Sequence, residues 1–179
     1  MSDEKRNFRL SKSIRPSRYA LRFELDLERW TSTGHARISL TLDAPAREIT
    51  LHAVDLDIKT AAIEGGPTMR EVTYDSESQT ATLRFESELA NGERVLEIAW
   101  NGEIREALRG LYRSTRPGER YAVTQFEAAD ARRAYPCFDE PEFKARFALE
   151  LIHPAGLAAI ANMPIQKAEA LPDGRARTR

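Results

Sequence analysis

The chain has 179 residues, of which 41% are hydrophobic and 31% charged, a balance typical of a single globular domain. Its formal net charge of -1 argues against nucleic acid as the main partner, because phosphate-binding proteins usually carry a basic excess. No apolar run approaches the roughly 18 residues that are needed to span a bilayer.

The first 14 residues precede any strand pattern and are rich in lysine and arginine. No apolar stretch of the kind found in secretory signals follows them. We expect residues 1–14 to form a flexible basic tail and residues 15–179 to form the domain; an anionic surface partner is the alternative interpretation of the tail. The single cysteine, Cys137, cannot form an internal disulfide, which favours a cytoplasmic location.

Apolar residues alternate with polar ones in the first third of the chain, which is the pattern of half-buried strands. Residues 19–27 predict a first strand, residues 30–34 a turn, and residues 36–42 an antiparallel partner. Further strands begin at Ile49 and Leu56.

The middle of the chain continues in the same style. Gly65-Gly-Pro67 predicts a loop, and residues 72–74 with 80–85 predict a hairpin. Asn91-Gly92 is a tight-turn pair before a strand at residues 95–100. Short strands at this spacing, with almost no helical periodicity, predict an all-β fold: an antiparallel β-sandwich or saddle-shaped sheet with short helical turns.

The last third is less regular. Residues 103–108 predict a brief helical turn and residues 114–119 a polar loop, while strands are expected at 143–153 and from 158. A turn signal then precedes a returning strand that starts at Arg175 and stops at Arg179 after a few residues, so we expect the polypeptide to be one part of a longer protein.

Residues 121–141 contain the most informative pattern. An apolar run ends in Thr124 and is followed by Gln125 and Glu127. Side chains two apart at the end of a strand lie on the same side, so an amide and a carboxylate face one ligand. That pair suits a protonated amine, because the carboxylate supplies charge and the amide carbonyl supplies a second acceptor.

Thr124-Gln-Phe-Glu127 and residues 130–147 resemble the N-terminal domain of zinc aminopeptidases of the aminopeptidase N family. The resemblance also includes Arg15-Pro-Ser-Arg-Tyr19, Gly110-Leu-Tyr-Arg-Ser114 and Ala161-Asn-Met-Pro164, so it covers nearly the whole chain in order. It implies that Gln125 and Glu127 reach into the active site of a neighbouring catalytic domain and help to bind the α-amino group of a peptide. We therefore take Gln125 and Glu127 as the substrate-binding residues.

The zinc site that the resemblance implies needs His-Glu-x-x-His on a helix, and this sequence lacks that motif. Its histidines, His35, His52 and His153, include no two that are four residues apart, and we expect each to be a surface or packing residue. The resemblance thus implies zinc in a parent enzyme with its ligands outside this chain, no metal and no catalytic residue in this fragment, and no activity of the fragment alone. Its expected partners are the catalytic domain of the same polypeptide and peptide N-termini.

The other candidate residues have structural interpretations. Six charged residues (Asp130, Arg132, Arg133, Asp139, Glu140 and Glu142) predict a salt-bridge network that fixes the loop carrying Gln125 and Glu127, since interspersed arginines disfavour a metal site. Asp130 is a candidate N-cap for a helical turn, and Cys137 is expected to be a small packed residue. Tyr112 and Phe126 are expected either to line a substrate pocket or to pack in the core.

Two other functions fit the same residues. A free-standing sandwich would use the Gln125 and Glu127 edge to capture peptide N-termini or a partner strand without any chemistry. A purely structural module would use that face only for docking.

Overall fold

The structure is a computed structural model, and it describes residues 9–179. These residues form twelve strands and the short 3₁₀ helix Ala131–Arg133, which confirms the all-β fold. The strands are β1 (Ile14–Asp26), β2 (Thr31–Leu42), β3 (Ala46–His52), β4 (Leu56–Ile63), β5 (Met69–Asp75), β6 (Thr80–Leu89), β7 (Gly92–Glu103), β8 (Gly110–Arg116), β9 (Glu119–Gln125), β10 (Arg146–Pro154), β11 (Ala168–Ala170) and β12 (Arg175–Thr178).

The strands form two facing sheets and a separate hairpin. The large sheet has the order β11-β12-β10-β1-β2-β7-β4, and the small sheet has the order β3-β6-β5. Strands β8 and β9 pair only with each other among the described strands. Within residues 9–179, no helix is long and apolar enough to cross a membrane.

Alternating side chains build the core between the two sheets. On β1, Tyr19, Leu21 and Phe23 are buried, whereas the residues between them are only half-buried. The same alternation runs along β2, and the inner residues of both sheets join in one apolar cluster. Burial of each large apolar side chain contributes roughly 1.5–3 kcal/mol, so this cluster is what holds the sheets together.

One pair in the large sheet is parallel. Strand β10 lies beside β1 in the same direction, with Tyr19 opposite Phe147 and Leu21 opposite Leu149. The other paired strands within residues 9–179 are antiparallel. Because β2 to β9 lie between β1 and β10 in the chain, no tight turn has to join this parallel pair, and residues 126–145 lead from the hairpin to β10.

The turn expected at residues 30–34 is misplaced. The tight turn lies at residues 27–30, where the Asp26 carboxylate accepts N–H bonds from Glu28 and Arg29, and Gly34 lies inside β2. A Cβ at Gly34 would come within 2.1 Å of the Trp100 ring, so the glycine makes room for a core side chain rather than for a turn.

The helical turn expected at residues 103–108 and the polar loop expected at 114–119 are also wrong. No helix is present at residues 103–108, where Arg105 forms an isolated bridge with Tyr112. The polar residues after it continue β8 and β9, joined by a turn at Pro117 and Gly118. An ion pair between Arg116 and Glu119, at 2.6 Å, closes this turn, so polarity here reflects an exposed hairpin tip.

The expected strand at residue 158 is wrong as well. The next strand after β10 is β11, and the returning strand from Arg175 is confirmed as β12. Of the basic tail expected over residues 1–14, residues 1–8 lie outside the described residues. Leu10 is buried, and its backbone N–H donates to the Glu140 carboxylate at 2.7 Å.

We predict that Gly34→Ala lowers the free energy of unfolding by about 1–3 kcal/mol, because the added methyl group would overlap the Trp100 ring. Urea denaturation of the purified chain measures this change. The control is Thr33→Ala at the neighbouring exposed position, which should change the free energy by no more than about 0.5 kcal/mol. Equal effects of the two substitutions would contradict the packing role of Gly34.

Candidate functional site

Gln125 and Glu127 lie at the surface where β9 ends. Gln125 is the last residue of the strand, Glu127 lies in the turn that follows, and both are exposed. The peptide bond between Glu127 and Ala128 is cis. Among residues 9–179, none forms a hydrogen bond or ion pair with the side chain of either residue. No lysine or arginine within residues 9–179 therefore neutralises the Glu127 carboxylate.

Phe126, between these two residues, points the opposite way. It is half-buried against the core cluster, and its ring meets the ring of Tyr135 edge to face, with centroids 6.0 Å apart. Of the two expectations for Phe126, core packing is the one that this contact supports. The alternation leaves Gln125 and Glu127 on the outer side while Phe126 fixes the backbone between them.

The β8–β9 hairpin is attached to the body by its inner face. Leu111 packs against the core, the Arg113 guanidinium lies 5.7 Å from the Trp30 ring centroid, and Arg120 donates to the backbone carbonyl of Leu27 at 3.1 Å. The cation–π contact and the hydrogen bond both join the hairpin to the 27–30 turn. Gln125 thus sits at the fixed end of the hairpin rather than at its exposed tip.

Gly110 lies opposite Gln125 in the hairpin register. Its φ angle is +67°, and a Cβ there would come within 2.5 Å of the Arg133 Cβ. Both the backbone conformation and the close approach of the 3₁₀ helix therefore require glycine. This contact sets the distance between the end of the hairpin and the 3₁₀ helix.

The salt-bridge network expected around the loop is present. The Arg132 side chain is almost buried, and its Nε lies 2.9 Å from an Asp139 carboxylate oxygen. Its other nitrogens donate to the Gln79 side-chain oxygen at 3.1 Å and to the Asp139 backbone carbonyl at 3.0 Å. Removing one partner of a buried ion pair typically costs about 3–5 kcal/mol, so this pair holds the 3₁₀ helix strongly.

Asp130 does not cap the 3₁₀ helix as expected. Its side chain makes no capping hydrogen bond, because one carboxylate oxygen accepts from Arg133 Nε at 2.8 Å. Arg133 also reaches Asp55, at 3.5 Å. The acid therefore joins the network that fixes the loop instead of binding backbone N–H groups.

Backbone hydrogen bonds join residues 132–138 to the end of β3 and to the core. His52 and Cys137 exchange two N–H bonds, at 2.8 and 3.0 Å, and the Val54 N–H donates to the Arg132 carbonyl at 2.9 Å. The Trp100 indole N–H donates to the Ala134 carbonyl at 3.2 Å. The segment that follows Glu127 is consequently part of the rigid body, despite its lack of regular strands.

Two titratable groups in this segment are shifted by burial. Burial raises the pKa of the Cys137 thiol well above its usual value, so the group is a packed thiol and not a nucleophile. Burial, together with the neighbouring Arg132 guanidinium, lowers the pKa of His52 to about 4. His52 is therefore neutral near pH 7, and its Nδ1 accepts the Asp139 backbone N–H at 3.2 Å.

The residues present do not suit a zinc ion. Within the described part of the chain, no group of three or more His, Cys, Asp or Glu side chains could hold a metal. His52 is committed to Asp139, and the His153 Nε2 lies 3.0 Å from the Thr178 hydroxyl. His35 is exposed on β2. No chemical step can be assigned to a metal held by these residues.

Gln125 and Glu127 are exposed at the surface of the domain. Cavities of about 240 and 920 Å³ occur in the described structure, and neither is lined by these two residues. The arrangement therefore presents a charged acceptor and a neutral one to a partner that covers them.

Several residues that support the site have no signal in the local sequence. Gln79, Asp55 and His52 contact the loop from elsewhere in the chain. Asp55 and His52 lie 78 and 87 residues away from their partners in the sequence, and Gln79 lies 53 residues away. Positive φ angles at Asp55 and Gln79 mark both as turn residues. Only the structure shows that these turns reach the loop.

We predict that Gly110→Ala lowers the free energy of unfolding by more than Gly118→Ala does. Both glycines have positive φ, but only at Gly110 would the new Cβ overlap another residue. We expect about 1 kcal/mol from backbone strain at each site, plus a further 1–3 kcal/mol from overlap at Gly110. Urea denaturation of the two variants gives the difference directly, and equal losses would rule out the contact with Arg133.

We predict that His52 makes the domain less stable in acid. An unfolded histidine titrates near pH 6.5, so between about pH 6.5 and 4 the unfolded chain binds a proton that the folded chain does not. The stability is complete above this window and falls with decreasing pH, by up to about 1.4 kcal/mol per pH unit. His52→Asn, whose side-chain oxygen can replace Nδ1 as acceptor, should show a shallower slope in urea titrations at pH 6.5 to 4.5. An unchanged slope would contradict the assignment.

The family model described as the Peptidase M1 N-terminal domain matches residues 15–179. The chain is 43% identical over 162 residues to Aminopeptidase M1-C of Oryza sativa subsp. japonica, covering 88% of this chain and 18% of that protein. It is 40% identical over 170 residues to Aminopeptidase M1 of Arabidopsis thaliana, covering 89% and 19% of the two chains.

A bacterial relative also matches most of the chain. Aminopeptidase N of Acetobacter pasteurianus is 33% identical over 175 residues, which cover 95% of this chain and 48% of that sequence. The chain thus spans about a fifth of the length of the plant relatives. Taken with the all-β architecture, these matches show that the chain belongs to the peptidase M1 family, as a member of its N-terminal domain.

Proposed function

We propose that this chain is the N-terminal domain of a zinc aminopeptidase and that it supplies the anchor for the α-amino group of the substrate. Gln125 and Glu127 are the anchor residues in this proposal. The observation that carries it is the exposed Glu127 carboxylate, which has no partner among residues 9–179 although its loop is rigidly held on both sides.

The chemistry of the pair fits a primary ammonium group. An ammonium donates three hydrogen bonds and carries one positive charge, so it can satisfy the carboxylate and the amide carbonyl together. A hydrogen bond to a charged group contributes about 1.5–3 kcal/mol. A blocked N-terminus lacks the charge and would lose most of this energy.

A rigidly held Glu127 carboxylate would also select which peptides are cleaved. If the carboxylate is held at a fixed place relative to the catalytic centre, only a peptide with a free N-terminus places its first peptide bond correctly. Zinc, bound by a catalytic domain outside this chain, would supply an activated water for hydrolysis. The contribution of this chain is to bind and orient the substrate, and by itself it has no peptidase activity.

The single cysteine bears on the cellular location. Cys137 is buried and unpaired, which is compatible with a reducing compartment, and we propose a cytoplasmic enzyme on that basis. Peptides with free N-termini are the substrate class, and the catalytic domain of the same polypeptide is the partner.

We predict that Glu127→Ala and Glu127→Gln in the full-length protein weaken recognition of free-amine substrates by about tenfold to a hundredfold in kcat/KM. Glu127→Gln keeps the shape of the side chain and removes only its charge. Steady-state kinetics on aminoacyl chromogenic amides would measure the loss.

The matched control is Glu71→Gln, which neutralises an exposed carboxylate on β5 of the small sheet. It should leave kcat/KM unchanged. A competition assay adds a second readout: wild-type enzyme should bind a free-amine peptide in preference to its N-acetylated form, and the Glu127 variants should lose that preference. Kinetics and preference that match wild type in the Glu127 variants would remove the assignment.

A further inference from the structure

The inner face of the large sheet is left partly uncovered at β10. Parallel register places Phe147, Leu149 and Leu151 of β10 on the same side as the buried Tyr19, Leu21 and Phe23 of β1. Yet Phe147 is 59% exposed, and both leucines are only partly buried. We call Phe147, Leu149 and Leu151 the β10 face. It is a core-facing apolar surface that residues 9–179 leave partly open.

The opposite side of β10 has a different character. There Glu150 forms ion pairs with Arg22 of β1 at 3.5 Å, with Arg177 of β12 at 3.7 Å, and with Arg179, which follows β12, at 2.5 Å. On this outer side the Glu150 side chain is mostly shielded by these arginines, and Ile152 further along the strand is buried. The exposed large apolar residue of β10, Phe147, lies instead on the side that continues the core, where a layered fold places another layer.

An aromatic path connects the β10 face with the Gln125 and Glu127 loop. The Phe147 ring stacks on Tyr19 at 4.9 Å and nearly parallel, and Tyr19 meets Tyr135 edge to face at 6.2 Å. Tyr135 in turn meets Phe126, the residue between Gln125 and Glu127, at 6.0 Å. Phe147 and Phe126 are therefore joined by three successive ring contacts, a separation that one docked domain of ordinary interface size can span.

We infer that the β10 face is the docking surface for the catalytic domain of the full-length protein. The inference rests on the proposed function and on the plant relatives, which extend to about five times the length of this chain. An anchor that serves a catalytic centre must be brought against it, and the adjoining open apolar face supplies the contact that does so. A second copy of this chain on the same face would have no such reason to approach Glu127.

The test is Phe147→Glu in the full-length protein, which places an unpaired carboxylate in the proposed interface. We expect kcat/KM on aminoacyl amides to fall at least about tenfold, as for a central interface residue. We also expect thermal unfolding to separate into two transitions as the domains lose contact. Phe147→Ala, which removes apolar area without adding charge, should show the same changes to a smaller degree.

The matched control is Ile160→Glu, because Ile160 is a 90% exposed apolar residue outside the strands. It should leave the activity and the single unfolding transition as they are. The 179-residue chain carrying Phe147→Glu reports the cost within the domain, and its melting temperature should fall by no more than about 4 °C. If the melting temperature falls further than this, Phe147→Ala is the variant that tests the interface.

Three results separate the possibilities. Activity and unfolding equal to those of wild type in both Phe147 variants would overturn the docking surface. A dimer of the full-length protein that Phe147→Glu dissociates without altering activity would overturn it too, in favour of a second copy. Impaired Phe147 variants beside fully active Glu127 variants would support the interface while rejecting the amine anchor on which the reasoning began.

Discussion

The guanidinium group of Arg132 is the interaction on which the candidate site depends. It is nearly removed from solvent and joins three parts of the chain: its own 3₁₀ helix, the Asp139 strand-like segment, and the turn that carries Gln79. A buried charge of this kind is tolerated only when its hydrogen-bonding groups are satisfied, and here they are satisfied by residues that also define the loop. Within residues 9–179 the exposed side chains of Gln125 and Glu127 have no partners, while the charges of the adjacent loop are balanced by one another.

The charged residues of the loop therefore divide into shielded members and exposed members. Inner members such as Arg132, Asp139 and Glu140 have shielded side chains, and Glu140 also accepts the N–H of buried Leu10, while Glu142 pairs with Lys12 at the surface. Surface pairs contribute little, with a median of about 0–1 kcal/mol, whereas breaking a shielded pair is expensive. Charged residues that are close together in the sequence therefore differ several-fold in how much their ion pairs stabilise the loop.

Much of the fold could be predicted from the sequence because period-two alternation is a direct consequence of strand geometry. The wrong predictions concern residue types that are common both in turns or loops and in strands. Gly34 suggests a turn but accommodates the Trp100 ring inside β2, and the polar residues after Gly110 suggest a loop but form an exposed hairpin. The parallel placement of β10 beside β1 had no signal, since register between distant strands is decided by packing across the whole sheet.

The candidate site was predictable only in its local part. Neighbouring residues suggested the Gln125 and Glu127 pair and the salt-bridge network, and the network is confirmed, whereas the amine-binding role remains a prediction. The distant supports at His52, Asp55 and Gln79 could not be found in advance, because their contacts depend on how two sheets bring separate turns together.

The two tryptophans of the chain lie on the two attachments of the loop. Trp100 is buried and donates its indole N–H to Ala134 beside the 3₁₀ helix, whereas Trp30 lies under the Arg113 guanidinium of the hairpin. Indole emission depends on polarity and on nearby charge, so each ring is an intrinsic fluorophore for one attachment. Single-tryptophan variants would therefore separate loosening of the helix side from loosening of the hairpin side, with no added label.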